Sequence, residues 1–225
     1  MNDPLSITRP LSDRSEVTDA VRAQILATEH WSLLSTRSMT WNEVFSRAGM
    51  FVTVLSAAVV ALALVAQVTA FGPGFRIFAL LVLPVVLLMG VLTLLRLSDA
   101  NTEEVGLVVG MNRLRHAYLE LAPELEPYFV TGHHDDEAGI IQTYGLSGPM
   151  RFGRFLAGTP TLVAAITVVV AGVLAALLAQ ALGAPEAAVV AVGVVVAMVA
   201  SAGLVTLAYR SVTSMRRAHR PLFPV

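Results

Sequence analysis

The chain has 225 residues, 56% of them hydrophobic and only 14% charged, with a formal net charge of −1; so little polar surface cannot cover a soluble domain of this size, and lipid must be part of its solvent. Cysteine and lysine are both absent, which excludes disulfides, thiolate nucleophiles, phosphate-loop lysines and Schiff-base or pyridoxal chemistry. With net charge near zero and no long basic run, a nucleic-acid partner is excluded as well.

The first segment, residues 1–40, is polar, with no short apolar core of the signal-peptide kind near its start, so it is expected to be retained. Residues 12–36 predict an amphipathic helix with Val17, Ala20, Val21, Ile25 and Trp31 on one face and Asp19, Arg22, Glu29 and His30 on the other; Leu26 and Leu33 interrupt the pattern. Such a helix either packs on the protein's own polar domain or lies on the membrane surface, and the mixed sign of its charges favours packing. Thr40 and Glu43 fit a capping box, which predicts a second helix from Trp41 into the first apolar run.

Residues 41–97 form the first predicted transmembrane hairpin. Its uncharged runs, Ala48 to Phe75 and Ile77 to Leu95, each suffice to cross a ~30 Å hydrocarbon core at ~1.5 Å per residue. Phe71-Gly72-Pro73-Gly74 supplies the turn, and Pro84 is expected to kink the second span.

In residues 98–154 no Gly or Pro interrupts the chain between Val91 and Val105, so the second helix is expected to continue out of the membrane until Pro123 and Pro127 end it. Leu107, Met111, Leu114, Tyr118 and Leu121 recur there at alternating spacings of four and three, a seam for a partner helix or a second subunit. From Glu120 to Glu137 come six acidic residues and no arginine: Glu120, Glu124, Glu126, Asp135, Asp136 and Glu137. Repeated around an oligomer axis, they would concentrate cations at a pore mouth; a solvated acidic surface is the plainer alternative. His133 to Glu137 gathers metal-ligand residue types in one turn, but adjacent side chains diverge and no second His motif completes a site, so neither metal nor cofactor is expected. Met150 to Phe155 alternates Arg with Phe, as a headgroup anchor would.

The second predicted hairpin, residues 155–210, has uncharged runs Phe155 to Pro185 and Ala187 to Tyr209, opened by Thr159-Pro160 and by Pro185-Glu186, and residues 211–225 form a polar tail. Gly172/Ala176 and Gly193/Ala197/Ser201 fall four apart, a spacing that lets helices approach closely. None of the four apolar runs contains an acidic or basic residue, which disfavours proton relays, voltage sensors and ion-coupled transport. Nucleotide loops, zinc-protease patterns and nucleophile elbows are missing too, so no enzymatic activity is expected.

All 15 positive charges except Arg76 flank the apolar runs on one side, and the positive-inside rule makes that side cytoplasmic. The expected fold is all-α: a polytopic membrane protein with four transmembrane helices as two hairpins plus cytoplasmic amphipathic helices, both termini in the cytoplasm and the spans in a bacterial inner membrane.

Thr28-Glu29-His30-Trp31-Ser32-Leu33-Leu34, Thr36-Arg37-Ser38, Trp41-Asn42-Glu43 and Met111-Asn112-Arg113-Leu114-Arg115-His116-Ala117-Tyr118 together resemble a widespread group of bacterial integral membrane proteins without assigned activity. The likeness spans residues 25–145 and implies a shared fold. The layout of a polar helix leading into a short-looped hairpin is more distantly similar to the two-span SLATT effector domains, proposed to form membrane pores; the second hairpin is an addition to that layout. The expected role is a homo-oligomer that forms or regulates an ion-permeable pore, with membrane lipid as its surroundings. The alternative is a scaffold or regulatory subunit that binds an unidentified partner protein through its cytoplasmic helices.

Overall fold

The computed structural model describes residues 17–145 and 158–225, with the side chains of 215–218 excepted. The described chain is all helical: α1 (Asp19–Thr69), α2 (Pro73–Leu121), a 3-10 turn (Pro123–Tyr128), α3 (Glu137–Thr143), α4 (Thr159–Ala181) and α5 (Glu186–Ala218). Four of these, α1, α2, α4 and α5, are long and apolar enough to cross a membrane. The Arg–Phe alternation at 150–155 lies outside the described residues.

With 51 and 49 residues, α1 and α2 extend for roughly 75 Å each, more than twice the thickness of a hydrocarbon core. Their surplus forms a two-helix arm of ~40 Å that carries most of the charge, here called the polar end. The break expected at Thr40–Trp41 does not occur. Between Asp19 and Ala48 there is neither Gly nor Pro, and the hydroxyl of Thr36 satisfies itself on the Ser32 carbonyl 3.0 Å away without opening the helix. α2 is likewise one helix that contains Pro84 and continues into the arm, and that continuation is as the sequence predicts.

The buried stripe of α1's polar half is not the predicted one. Ile25 is 60% exposed and Trp31 71%, with Val17 and Val21 also exposed. The face turned toward α2 instead carries Leu26, His30, Leu33, Arg37, Trp41 and Val44. Leu26 and Leu33, which look like interruptions in a hydropathy pattern, belong to this packed face. It is half polar because its partner supplies charge, so hydropathy alone selects the opposite side.

α2 and α4 occupy the middle of the bundle, with α1 packed on α2 and α5 packed on α4. The core runs through Val44, Ala48, Phe51, Ala58, Ala79, Leu83, Val86, Leu97, Ala100, Val163 and Val170. Gly90 is the three-helix contact: a Cβ there would lie 2.5 Å from the Thr167 hydroxyl and 3.1 Å from the Phe51 ring, so only glycine admits Phe51 of α1 and Thr167 of α4 at one level.

The α1–α2 turn puts its left-handed residues at Ala70 (φ 45°) and Phe71 (φ 59°). Gly72 is needed for space, since a Cβ would sit 2.9 Å from the Thr69 carbonyl oxygen. Between α4 and α5 the small residues act as predicted: a Cβ on Gly193 would lie 3.1 Å from the Gly172 carbonyl oxygen and 3.2 Å from Ala176 Cβ. Gly193→Leu is therefore expected to force the pair apart, at a cost of ~1–3 kcal/mol, and to lower the thermal unfolding midpoint in detergent. Gly203→Leu, where nothing lies within 4 Å, should leave that midpoint unchanged; equal effects at both positions would contradict the close contact.

Candidate functional site

Three polar centres hold the arm together. Nearest the apolar runs, Glu43 of α1 accepts from Arg47 at 2.7 Å and from Arg96 of α2 at 2.8 Å, and Arg96 also reaches Glu103 at 3.0 Å. The two guanidiniums pull the Glu43 carboxyl down to about 2. A charged belt at this level suits the boundary between lipid tails and water.

Farther out, Glu104 is only 5% exposed yet fully engaged. Arg37 donates Nε at 2.8 and 3.0 Å to its two oxygens and brings Nη2 to 2.6 Å, while Trp41 Nε1 donates at 2.9 Å. Arg37 and Trp41 are four apart, one above the other on α1's inner face. Burial and the neighbouring Glu104 carboxylate, to which its hydroxyl bonds, raise the pKa of Tyr144 just past α3, so one carboxylate joins α1, α2 and the connecting segment.

The third centre lies at the end of α2. Asn112 is fully buried; its amide donates to the His134 carbonyl at 2.7 Å and accepts from Thr143 and Arg115, both at 2.8 Å. Burial pushes the Arg115 guanidinium down, with the charge of Arg37 adding to it, and His30 is lowered by burial and by Arg115. Gly132 and Gly139 let the segment fold back on itself: a Cβ on Gly132 would collide with the Gly139 carbonyl oxygen.

Beside it, Asp135 is wholly buried. It receives Arg113 Nε at 2.7 Å and the backbone N–H groups of Leu222 and Phe223 at 2.9 and 2.8 Å. Burial would raise its carboxyl, but these three donors outweigh that and hold it below the ordinary carboxylate range. Asp136 caps α3 through Gly139 N–H at 2.9 Å and accepts from Val225 N–H at 3.0 Å, and both donors lower it further. The Phe223 ring stacks on His116 with centroids 4.2 Å apart, its carbonyl accepts from Asp135 N–H at 3.3 Å, and His134 Nδ1 lies 3.2 Å from the same oxygen. His219 Nε2 bonds to the Asp135 carbonyl. Residues 219–225 are thus strapped across the end of α2 and onto the 133–136 turn.

The predicted seam divides among these contacts. Met111 is buried; Leu107, Leu114, Tyr118 and Leu121 are half-buried, with Tyr118 against His30 at 6.1 Å and neighbouring Gly110 against Leu33 of α1. Of the acidic residues, Glu120, Glu124, Glu126 and Glu137 are exposed, Asp136 is half-buried and Asp135 is sealed beneath the strap. The six therefore do not form one open surface. Among the described residues no group of three or more His, Cys, Asp or Glu is placed to hold a metal ion.

Sequence reasoning missed Glu104 and the strap. The first has a signal: Glu104 lies one heptad before Met111, in line with the buried face of α2, and Arg37 and Trp41 stand at helical spacing on α1. The strap has none, because backbone N–H groups carry its bonds.

On the opposite side of α1, Asn42, Ser46, Gly49, Thr53, Ser56, Ala63 and Gln67 are all exposed. They recur at spacings of three and four along the helix, with one step of seven between Ser56 and Ala63 where the exposed Val60 stands in line, and they face away from α2. Thr53 and Ser56 turn their hydroxyls back onto the Gly49 and Val52 carbonyls at 2.9 and 2.8 Å, so the stripe can stand in an apolar environment without unpaired donors. Comparison with protein-family models, curated proteins and solved structures returned no match.

Proposed function

We propose that the protein is a non-enzymatic homo-oligomer of a bacterial inner membrane, with its polar end and both termini in the cytoplasm, that forms or regulates an ion-permeable pore. The observation that carries this reading is the uncharged polar stripe of α1. The monomer's own core is filled by Phe51, Val86, Val163 and Thr167 and offers no lumen. Several α1 helices around an axis would bring Gly49, Thr53 and Ser56 together as a lining of small residues and hydroxyls. The exposed carboxylates Glu120, Glu124, Glu126 and Glu137 at the polar end favour cations. The resemblance of the first hairpin to SLATT-type domains points the same way.

Purified full-length protein in planar bilayers is expected to pass current in discrete steps, and Ser56→Trp to reduce step size several-fold by filling the lining. Absence of current at every potential and salt composition would end the pore reading. The exposed Ile25, Trp31 and Met39 on the arm favour the second reading, a scaffold that holds a partner protein; particle images with a closed centre and no axial opening would support it instead.

A further inference from the structure

The outer stripe of α1 is polar or small at every step but one. Asn42, Ser46, Gly49, Thr53 and Ser56 lead to Val60, and the next polar side chain on the line is Gln67. Every exposed residue between Ser56 and Gln67 is apolar: Ala57, Val59, Val60, Ala63 and Leu64. That interval covers ~16 Å of helix axis, so a column of water along it finds no hydrogen-bonding side chain.

Val60 marks the middle of this dry interval and of the membrane. It follows Ser56 by four residues and precedes Ala63 by three, which keeps it on the stripe, and it is 59% exposed. Ala58, two residues earlier and on the opposite side of the helix, is buried in the core. The uncharged part of α1 begins at Ala48 and the helix ends at Thr69, which puts Val60 ~18 Å from one limit and ~14 Å from the other. Thr53 has the same branched outline as Val60 but carries a hydroxyl.

We propose that Val60 is a hydrophobic gate: a ring of its side chains, one from each copy, shuts the pore by expelling water from its midpoint. The proposal rests on the pore reading and adds to it the level at which flow stops. An ion crossing a ring of valine methyls must give up hydrating water and gains no protein oxygen in exchange, so a narrow apolar ring blocks current without filling the lumen. Such a gate needs no charge, in keeping with spans that carry no acidic or basic residue. Because α1 is a single helix from Asp19 to Thr69, a turn or tilt of its polar half moves Val60 with it and couples the arm to the gate.

Single-channel recording in planar bilayers tests the gate. Val60→Asn, which wets the ring, is expected to raise the open fraction several-fold over the unsubstituted chain. Val60→Thr, which keeps the outline and adds only a hydroxyl, should move it the same way with the step size unaltered. Val59→Asn is the control: Val59 lies at the same depth and is 56% exposed, but points about 100° away around the helix, and its substitution should leave the open fraction unaltered. An open fraction indifferent to Val60→Asn overturns the gate and leaves the pore standing, and an equal rise in Val59→Asn also overturns it. Current absent from the unsubstituted and substituted chains alike ends the pore reading, and the gate with it.

Discussion

Replacing Glu104 with alanine is expected to detach the polar half of α1 from α2. The substitution removes both acceptors of Arg37 and the acceptor of Trp41 Nε1 at once, and it takes a carboxylate from the Tyr144 hydroxyl. Breaking a buried ion pair by deleting one partner costs ~3–5 kcal/mol. Arg37 keeps access to water, with about a third of its side chain exposed at 36%, so the lower end of that range applies. Hydrogen exchange in nanodiscs should show residues 19–45 losing protection while 48–69 in the bilayer keep theirs, and trypsin should cut after Arg37. Glu104→Gln, which keeps the shape and one acceptor, should lose less. Unchanged protection of 19–45 in Glu104→Ala would mean the arm is held by its apolar contacts alone.

Asp135→Ala is the second large effect, and it acts on the other side of α2. This carboxylate is wholly buried and serves three donors from two distant segments. Its loss leaves the Leu222 and Phe223 N–H groups unpaired and Arg113, 36% exposed like Arg37, without its counter-charge, at the lower end of ~3–5 kcal/mol. The strap is then expected to leave: the C-terminal segment should become accessible to carboxypeptidase, and exchange at Leu222 and Phe223 should rise to the rate of an open peptide. The arm of α1 should be untouched, since Glu104 and Asp135 share no partner. Continued protection of Leu222 would show that the Phe223–His116 stack and the Asp136–Val225 bond suffice.

How far the sequence speaks depends on which force sets each feature. The four apolar helices follow from uninterrupted hydropathy, and the α4–α5 contact from the four-residue spacing of Gly172, Ala176, Gly193 and Ala197, because both are local patterns with a single physical meaning. The continuation of α2 beyond its apolar run is legible from the lack of Gly and Pro between Val91 and Val105. The orientation of α1's polar half is not. Its inward face includes His30, Arg37 and Trp41, the last two bonded to Glu104 67 and 63 residues away in sequence, and a hydropathy period cannot register a partner that distant. Thr40 and Glu43 mimic a capping box, but Glu43 is drawn to Arg47 and Arg96 instead. His133 to Glu137 reads as a solvated turn because nothing in its composition announces that the chain's last residues will cover it.

The most direct test of the central claim, that the outer stripe of α1 lines an axis shared by several copies, is thiol block of single-cysteine variants in planar bilayers. A charged thiol reagent is expected to cut the current of Gly49→Cys, Thr53→Cys and Ser56→Cys channels and to leave that of Leu88→Cys, exposed on α2, unaltered. Currents that are insensitive at all three stripe positions, or blocked only at Leu88, would contradict the account.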